Sequence, residues 1–311
     1  MIMGFIDQMR AKGHAVESIC RVLRQEGCQI AARTYRAWRR RSASARDTSD
    51  AVLLNVLHDL VGTPEGLYGR RKMTAWLRRE GHQVGAGRVD RLMRVAGMNG
   101  VRRGRPVRTT VPAKDGCRAG DLLNRDFTAA APNTKWVADF TYVRTWEGFV
   151  YVAFVLDCYS QRILAWHAAT AKTTPLVLTP LRIALWDRDR HGHPVQPGEL
   201  IAHSDAGSQY TSLRFAEHLA AEGIAASIGT VADAYDNALM ECVIGLYKTE
   251  CITTTIFHNG PYKTIADVEY ATAGWVEWYN NRRLHSSLAM TTPAEYETAY
   301  YAALNRELAP T

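Results

Sequence analysis

The 311-residue chain contains no run of about 18 or more uncharged apolar residues, which argues against a membrane-spanning helix. Its opening, Met1-Ile2-Met3-Gly4-Phe5-Ile6-Asp7, is too short and too soon charged for a secretory signal, so a cytoplasmic protein is expected. The six cysteines, Cys20, Cys28, Cys117, Cys158, Cys242 and Cys251, form no C-x-x-C pair. Reduced thiols are therefore expected rather than a zinc site or a disulfide framework. The ten histidines also lack zinc spacing, and the nearest pair, His191 and His193, falls in a polar loop expected at the surface. No internal repeat or low-complexity tract is present beyond two loosely similar helical modules.

The chain carries hydrophobic residues at 47%, ample for a core, and its length predicts more than one domain. Its formal charge of +7 hides a division. Residues 1–130 hold 25 Lys and Arg against 12 Asp and Glu, whereas residues 131–311 hold 13 against 19. A front half so rich in arginine predicts a polyanion partner, bound largely without regard to sequence and sensitively to salt.

Val16, Ile19, Cys20 and Leu23 recur at helical spacing, and a second helical stretch begins after Gly27 near Ile30. In a helix-turn-helix the second helix enters the major groove, so Thr34, Tyr35, Arg36, Trp38, Arg39, Arg40 and Arg41 are candidate DNA contacts. The alternative is a small helical hairpin with a basic end. Residues 42–50 are small and polar and read as a linker. A second helical module runs from Leu53 to about Ala96, with Leu60, Leu67, Met73, Trp76, Leu77, Val89, Leu92, Met93 and Val95 as its expected core and Gly97 as its stop. Arg102, Arg103, Arg105 and Arg108 then mark a basic connector suited to a phosphate backbone. The expected domains are 1–45, 51–100, a linker over 101–130, and 131–300.

The last of these reads as mixed α/β. Strands are expected near 136–143, 149–157, 163–167, 200–203 and 225–228, with helices after Thr174-Pro175, over 212–222 and over 265–281. Trp275, Val276 and Trp278 read as packing residues. Asp139 interrupts the apolar strand WVADFTY, Asp205 follows the short strand Leu200-Ile201-Ala202, and Glu241 lies on a helix beginning near Asp233 to Asp236. Between Asp205 and Glu241 lie 35 residues. Three carboxylates drawn from two strands and a helix suit Mg²⁺, a hard ion that prefers oxygen ligands. A pair of such ions about 3.5–4 Å apart can serve both the attacking and the leaving oxygen of a phosphodiester. Singly, each acid could equally be a turn former, a helix cap or a solvated charge, and Lys248 could pair with Glu250 or Asp236 at the surface.

The phrases His203-Ser204-Asp205-Ala206-Gly207-Ser208-Gln209-Tyr210-Thr211-Ser212, Asp236-Asn237-Ala238-Leu239-Met240-Glu241, Tyr279-Asn280-Asn281-Arg282-Arg283-Leu284-His285 and Thr292-Pro293-Ala294-Glu295-Tyr296 decide the matter. With them the chain resembles, over nearly its whole length, the DDE transposases of the insertion-sequence-three family. The resemblance implies a ribonuclease H-like, retroviral-integrase-like catalytic domain preceded by all-α helix-turn-helix modules. It maps the catalytic and metal-binding acids onto Asp139, Asp205 and Glu241 and a DNA-contacting lysine onto Lys248. Tyr68-Gly69-Arg70-Arg71 and Arg88 to Arg94 match the segment preceding the catalytic domain, which makes Arg70 and Arg71 candidate DNA contacts. His203, Ser208, Gln209, Tyr210 and Asn237 are expected around the acids or against substrate. Ala206, where Arg is frequent, and Val243-Ile244, where a Phe pair is frequent, depart from the pattern without touching a ligand position. The implied cofactor is Mg²⁺, two ions, with Mn²⁺ as a substitute. The implied partners are double-stranded DNA at terminal inverted repeats and target sites, further protomers, and a first-reading-frame protein, in a bacterial cytoplasm at the nucleoid. A nuclease that only hydrolyses and a non-catalytic repressor remain the alternatives.

Overall fold

β-Branched and aromatic residues build three long strands in the computed structural model of the chain: β1 (Lys135–Thr145), β2 (Gly148–Asp157) and β3 (Ile163–Ala169). The structure describes residues 2–102, 122–123, 126–205, 207, 209–228 and 237–308. The three strands pair antiparallel, and β4 (Ile201–Ser204) and β5 (Ala225–Ile228) extend the sheet in parallel, in the order β3-β2-β1-β4-β5. Each strand lies within two residues of its expected span.

Side chains alternate across a strand, so β1 faces two ways. Trp136, Ala138 and Phe140 point toward α7 (Thr174–Arg190) and α8 (Leu213–Ala221), where Leu176, Leu181, Phe215 and Leu219 complete a core. Asp139 points to the other side. Phe154, its register partner on β2, meets the rings of Tyr247 and Trp275 at 5.1 and 6.1 Å. The face that carries Asp139 is thus covered by α9 (Ala238–Leu246), a π-helical continuation over Tyr247–Ile252, and α10 (Ile265–Asn281). Trp275 and Trp278 are fully buried, as expected of packing residues.

A last helix, α11 (Pro293–Leu308), was not legible in the sequence, because its run of Tyr, Ala and Thr shows no clear apolar stripe. What fixes it is polar. Buried Glu297 accepts hydrogen bonds from Arg188 Nη2 at 2.8 Å, Arg162 Nη1 at 2.9 Å and Ser160 Oγ at 2.9 Å.

The chain divides into two compact units, Met1–Val56 and Leu57–Thr311. In the first, α1 (Ile2–Ala11), α2 (Val16–Gln25) and α3 (Ala32–Arg40) close over Ile6, Ile19, Cys20, Ile30 and Tyr35. Gly27 turns the chain between α2 and α3 at φ 84°, a region costly for any residue with a Cβ. The expected linker 42–50 is instead largely helical, since α4 runs Ala45–Asp59. Ser44 and Asp47 explain this: Asp47 N donates to Ser44 Oγ at 3.1 Å while Ser44 N donates to Asp47 Oδ2 at 3.1 Å, a reciprocal cap that starts a helix.

In the second unit, α5 (Arg70–Arg79) and α6 (Ala86–Val95) bury Met73, Leu77, Val89, Leu92 and Met93. Val95, expected in that core, is 65% exposed because it ends the helix on its outer side. This pair leans on the catalytic part. Tyr68 Oη accepts a hydrogen bond from Leu284 N at 2.9 Å, and Trp278 Nε1 donates to Glu65 Oε1 at 3.0 Å.

Candidate active site

The parallel ladder of β1 and β4 ends with Ala138 opposite Ser204. One step further along each strand stand Asp139 and Asp205, and neighbouring strands lie only about 4.8 Å apart. Register therefore brings together two acids that are 66 positions apart in the chain. Asp139 Oδ1 accepts a hydrogen bond from Phe140 N at 2.7 Å. Burial raises the Asp139 carboxyl well above the usual carboxylate range, and the fields of Asp205 and Glu241 add to that effect while Lys248 opposes it. Asp205, Glu241 and Lys248 thus all lie within electrostatic reach of Asp139. Among the described residues no group of three or more His, Cys, Asp or Glu side chains stands at metal-ligating spacing.

Glu241 is exposed in the first turn of α9, the positive end of the helix. The start of that helix is held by Asn237, whose Nδ2 donates to Ala138 O at 3.3 Å, next to Asp139. Beyond Leu246 the helix widens into the π segment, whose inner face is fixed to α10. Tyr247 Oη and Thr272 Oγ1 are 2.7 Å apart, and Glu250 is buried between Arg283 and Trp275. Lys248 is half-buried, with Nζ 5.0 Å from the Tyr142 ring centre. Burial lowers its pKa and the charge of Asp139 draws it back up. Its surface pairing with Glu250 is ruled out, since Glu250 binds Arg283 at 2.6 Å. Asp236, the other possible partner, lies outside the described residues.

The remaining expected contacts fall into three groups. Arg39, Arg40, Arg70, Arg71 and Arg102 are exposed, as is Arg36, which pairs with Glu17. Gln209 donates to Lys172 O at 3.1 Å and stays partly exposed. Tyr35 is corrected, being buried within the helical core, whereas Tyr210 and Asn237 are buried beside the acids rather than open to substrate. Tyr35 Oη bonds Asp7 at 2.5 Å, and Tyr210 stacks on Phe140 with ring centres 6.2 Å apart. His203 is buried as well, its Nδ1 2.8 Å from Ser227 Oγ. Arg103, Arg105, Arg108, Ser208 and Ala206 lie outside the described residues.

Sequence reasoning missed the Glu250–Arg283 pair, because it joins residues 33 apart whose meeting depends on the π segment. It also missed Tyr142, whose role as a ring beneath Lys248 carries no sequence signal.

Comparison with known proteins agrees with this architecture. An integrase core domain model matches residues 129–234, a second integrase core domain model matches 222–293, and an HTH-like domain model matches 52–106. The transposase for insertion sequence element IS629 of Shigella sonnei is 44% identical over 264 residues, which cover 85% of each chain. Transposase InsF for insertion sequence IS3A of Escherichia coli is 29% identical, over 94% of this chain and 97% of that one. A protein of insertion sequence element IS986/IS6110 of Mycobacterium tuberculosis is 44% identical over 90% of this chain and 99% of its own. No described helix is long and apolar enough to cross a membrane. With a helix-turn-helix-like module, a ribonuclease H-like integrase core and relatives matched nearly end to end, the chain belongs to the family of insertion-sequence transposases.

Proposed function

We propose that this transposase binds the terminal inverted repeats of its element, cleaves there, and joins the freed 3′-hydroxyl to another phosphodiester. The observation that carries the reading is Asp139 and Asp205 side by side at the open end of the β1–β4 ladder, with Glu241 close enough for its charge to be felt at Asp139. The donor set fits a hard cation. It is all oxygen, and burial together with the like charges of Asp205 and Glu241 raises Asp139, a cost that a cation offsets. Two buried polar atoms near the acids, Tyr210 Oη and Asn237 Oδ1, also lack a hydrogen-bond partner among the described residues. Asp139, Asp205 and Glu241 are the residues that would hold two Mg²⁺ ions, or Mn²⁺ in their place, which when bound activate an attacking oxygen and stabilise a leaving one.

The displacement is in line: the hydroxyl oxygen forms a new bond to phosphorus as the bond to the leaving oxygen breaks. Lys248 supplies a point charge to a phosphate near the cleaved end. Residues 1–45 and 51–100 recognise the ends through Arg36, Arg39, Arg40, Arg70 and Arg71. The connector, with Arg102, Arg103 and Arg105, follows the backbone toward the catalytic domain at 131–300. Paired ends require several protomers, and a first-reading-frame protein is a further partner. The site of action is the nucleoid DNA of the bacterial cytoplasm.

An oligonucleotide joining assay tests the reading. Joined products are expected in Mg²⁺, none after chelation with EDTA, and recovery on adding Mg²⁺ or Mn²⁺. Cleaved ends without joined products would make the protein a hydrolytic nuclease instead, and activity in EDTA would remove the metal. In the same assay Lys248→Ala is expected to lower joining on the order of tenfold, the worth of one charged contact, with thermal stability unchanged. Lys248→Arg should restore part of it. Wild-type joining by Lys248→Ala would leave this lysine without a part in the reaction.

A further inference from the structure

Past Asp139, β1 runs on without β4 at its side, so the β1–β2 hairpin projects beyond the acids. Its tip is aromatic and open to solvent. Trp146 is 72% exposed, Phe149 50% and Tyr142 40%, so much of each ring stays in water. Tyr142 and Phe149 meet edge to face at 5.2 Å. The tip is also held in place: Trp146 N donates to Tyr262 O at 3.1 Å and Glu147 N to Lys263 O at 3.2 Å. Two cations already sit on these rings, Lys248 at 5.0 Å from the Tyr142 centre and Lys263 at 5.3 Å from that of Trp146. Tyr142 is three residues from Asp139, about 10 Å along the strand and on its other face, but at the strand edge that β4 leaves open, where Lys248 reaches its ring.

We infer that the hairpin tip, Tyr142, Trp146 and Phe149 with Lys248 and Lys263, is a stacking platform for unpaired nucleotides at the DNA end being processed. Rigid exposed rings interleaved with lysines match what a single strand offers, base faces alternating with phosphates. A paired duplex conceals those faces, so only frayed terminal nucleotides can use the tip. Holding them there keeps the strand from re-pairing and leads its backbone past Lys248 to the acids. The inference rests on the strand-transfer reading above, and its test does not require catalysis.

Full-length protein carrying Asp205→Asn is titrated, by fluorescence anisotropy, against end oligonucleotides whose last two base pairs are either matched or mismatched. Tighter binding to the mismatched end is expected, with Trp146→Ala and Phe149→Ala each reducing that preference on the order of tenfold. Affinity for the matched end should be unchanged, and Trp146→Phe should retain most of the preference. An unaltered ratio in both alanine variants would overturn the inference. So would weakened self-association of Trp146→Ala with the ratio intact, which would make the tip a protein contact. If the preference depends on Trp146 while wild-type protein yields no joined products in Mg²⁺, the platform stands and the strand-transfer reading falls.

Discussion

Asp139→Asn, Asp205→Asn and Glu241→Gln are each expected to lower cleavage and joining in Mg²⁺ by a thousandfold or more, with end binding within about twofold of wild type. Metal ions contribute several kcal/mol of transition-state stabilisation, and roughly each 1.4 kcal/mol is a factor of ten. Asp139→Asn separates this loss from damage to the fold. Its carboxyl is buried among like charges that push it toward the neutral form, so the neutral amide should fold at least as stably without metal. Melting curves with and without Mg²⁺ check this: the variant should match or exceed wild type without the ion and gain little from it. Strand transfer retained by any one of the three variants would remove that residue from the catalytic set.

Glu250→Ala is expected to cost about 3–5 kcal/mol of stability, lowering the melting temperature on the order of 10 °C. Glu250 is 5% exposed and Arg283 4%, and the two share bonds of 2.6 and 2.9 Å. Removing the acid leaves Arg283 buried without its counter-charge. It also strips a favourable field from Lys72, which burial, aided by Arg283, already brings down to about 7. The double replacement Glu250→Met and Arg283→Met should recover much of the loss, since a buried pair is worth little more than well-packed apolar groups. An unchanged melting temperature for Glu250→Ala would refute the importance given to this pair.

Glu250 also bears on the reaction through position. It anchors the π segment that follows the turn bearing Glu241, and that segment carries Lys248 to Tyr142. An unbroken α-helix would by itself put Lys248, seven residues on, on the face of Glu241. The wider turn makes tertiary anchoring, rather than helical periodicity, the reason Lys248 stands beside Asp139.

Much of this protein follows from local sequence. Alternating apolar residues determined the strands, since a half-buried strand has a period of two whatever surrounds it, and the phrases around Asp139, Asp205 and Glu241 marked the acids. The arginine surplus of the first 130 residues pointed to a polyanion partner. Misreadings arose where a local signal has two meanings. Ser44 and Asp47 belong as readily to a loop as to the cap that starts α4, and Tyr35 is polar enough for DNA yet buried by its neighbours. Only the tertiary structure decided that Asp139 and Asp205 are adjacent, because strand register is set by packing over the whole sheet. It alone brought Glu250 to Arg283 and left the rings of the β1–β2 tip uncovered, since burial depends on what the rest of the chain lays over each residue.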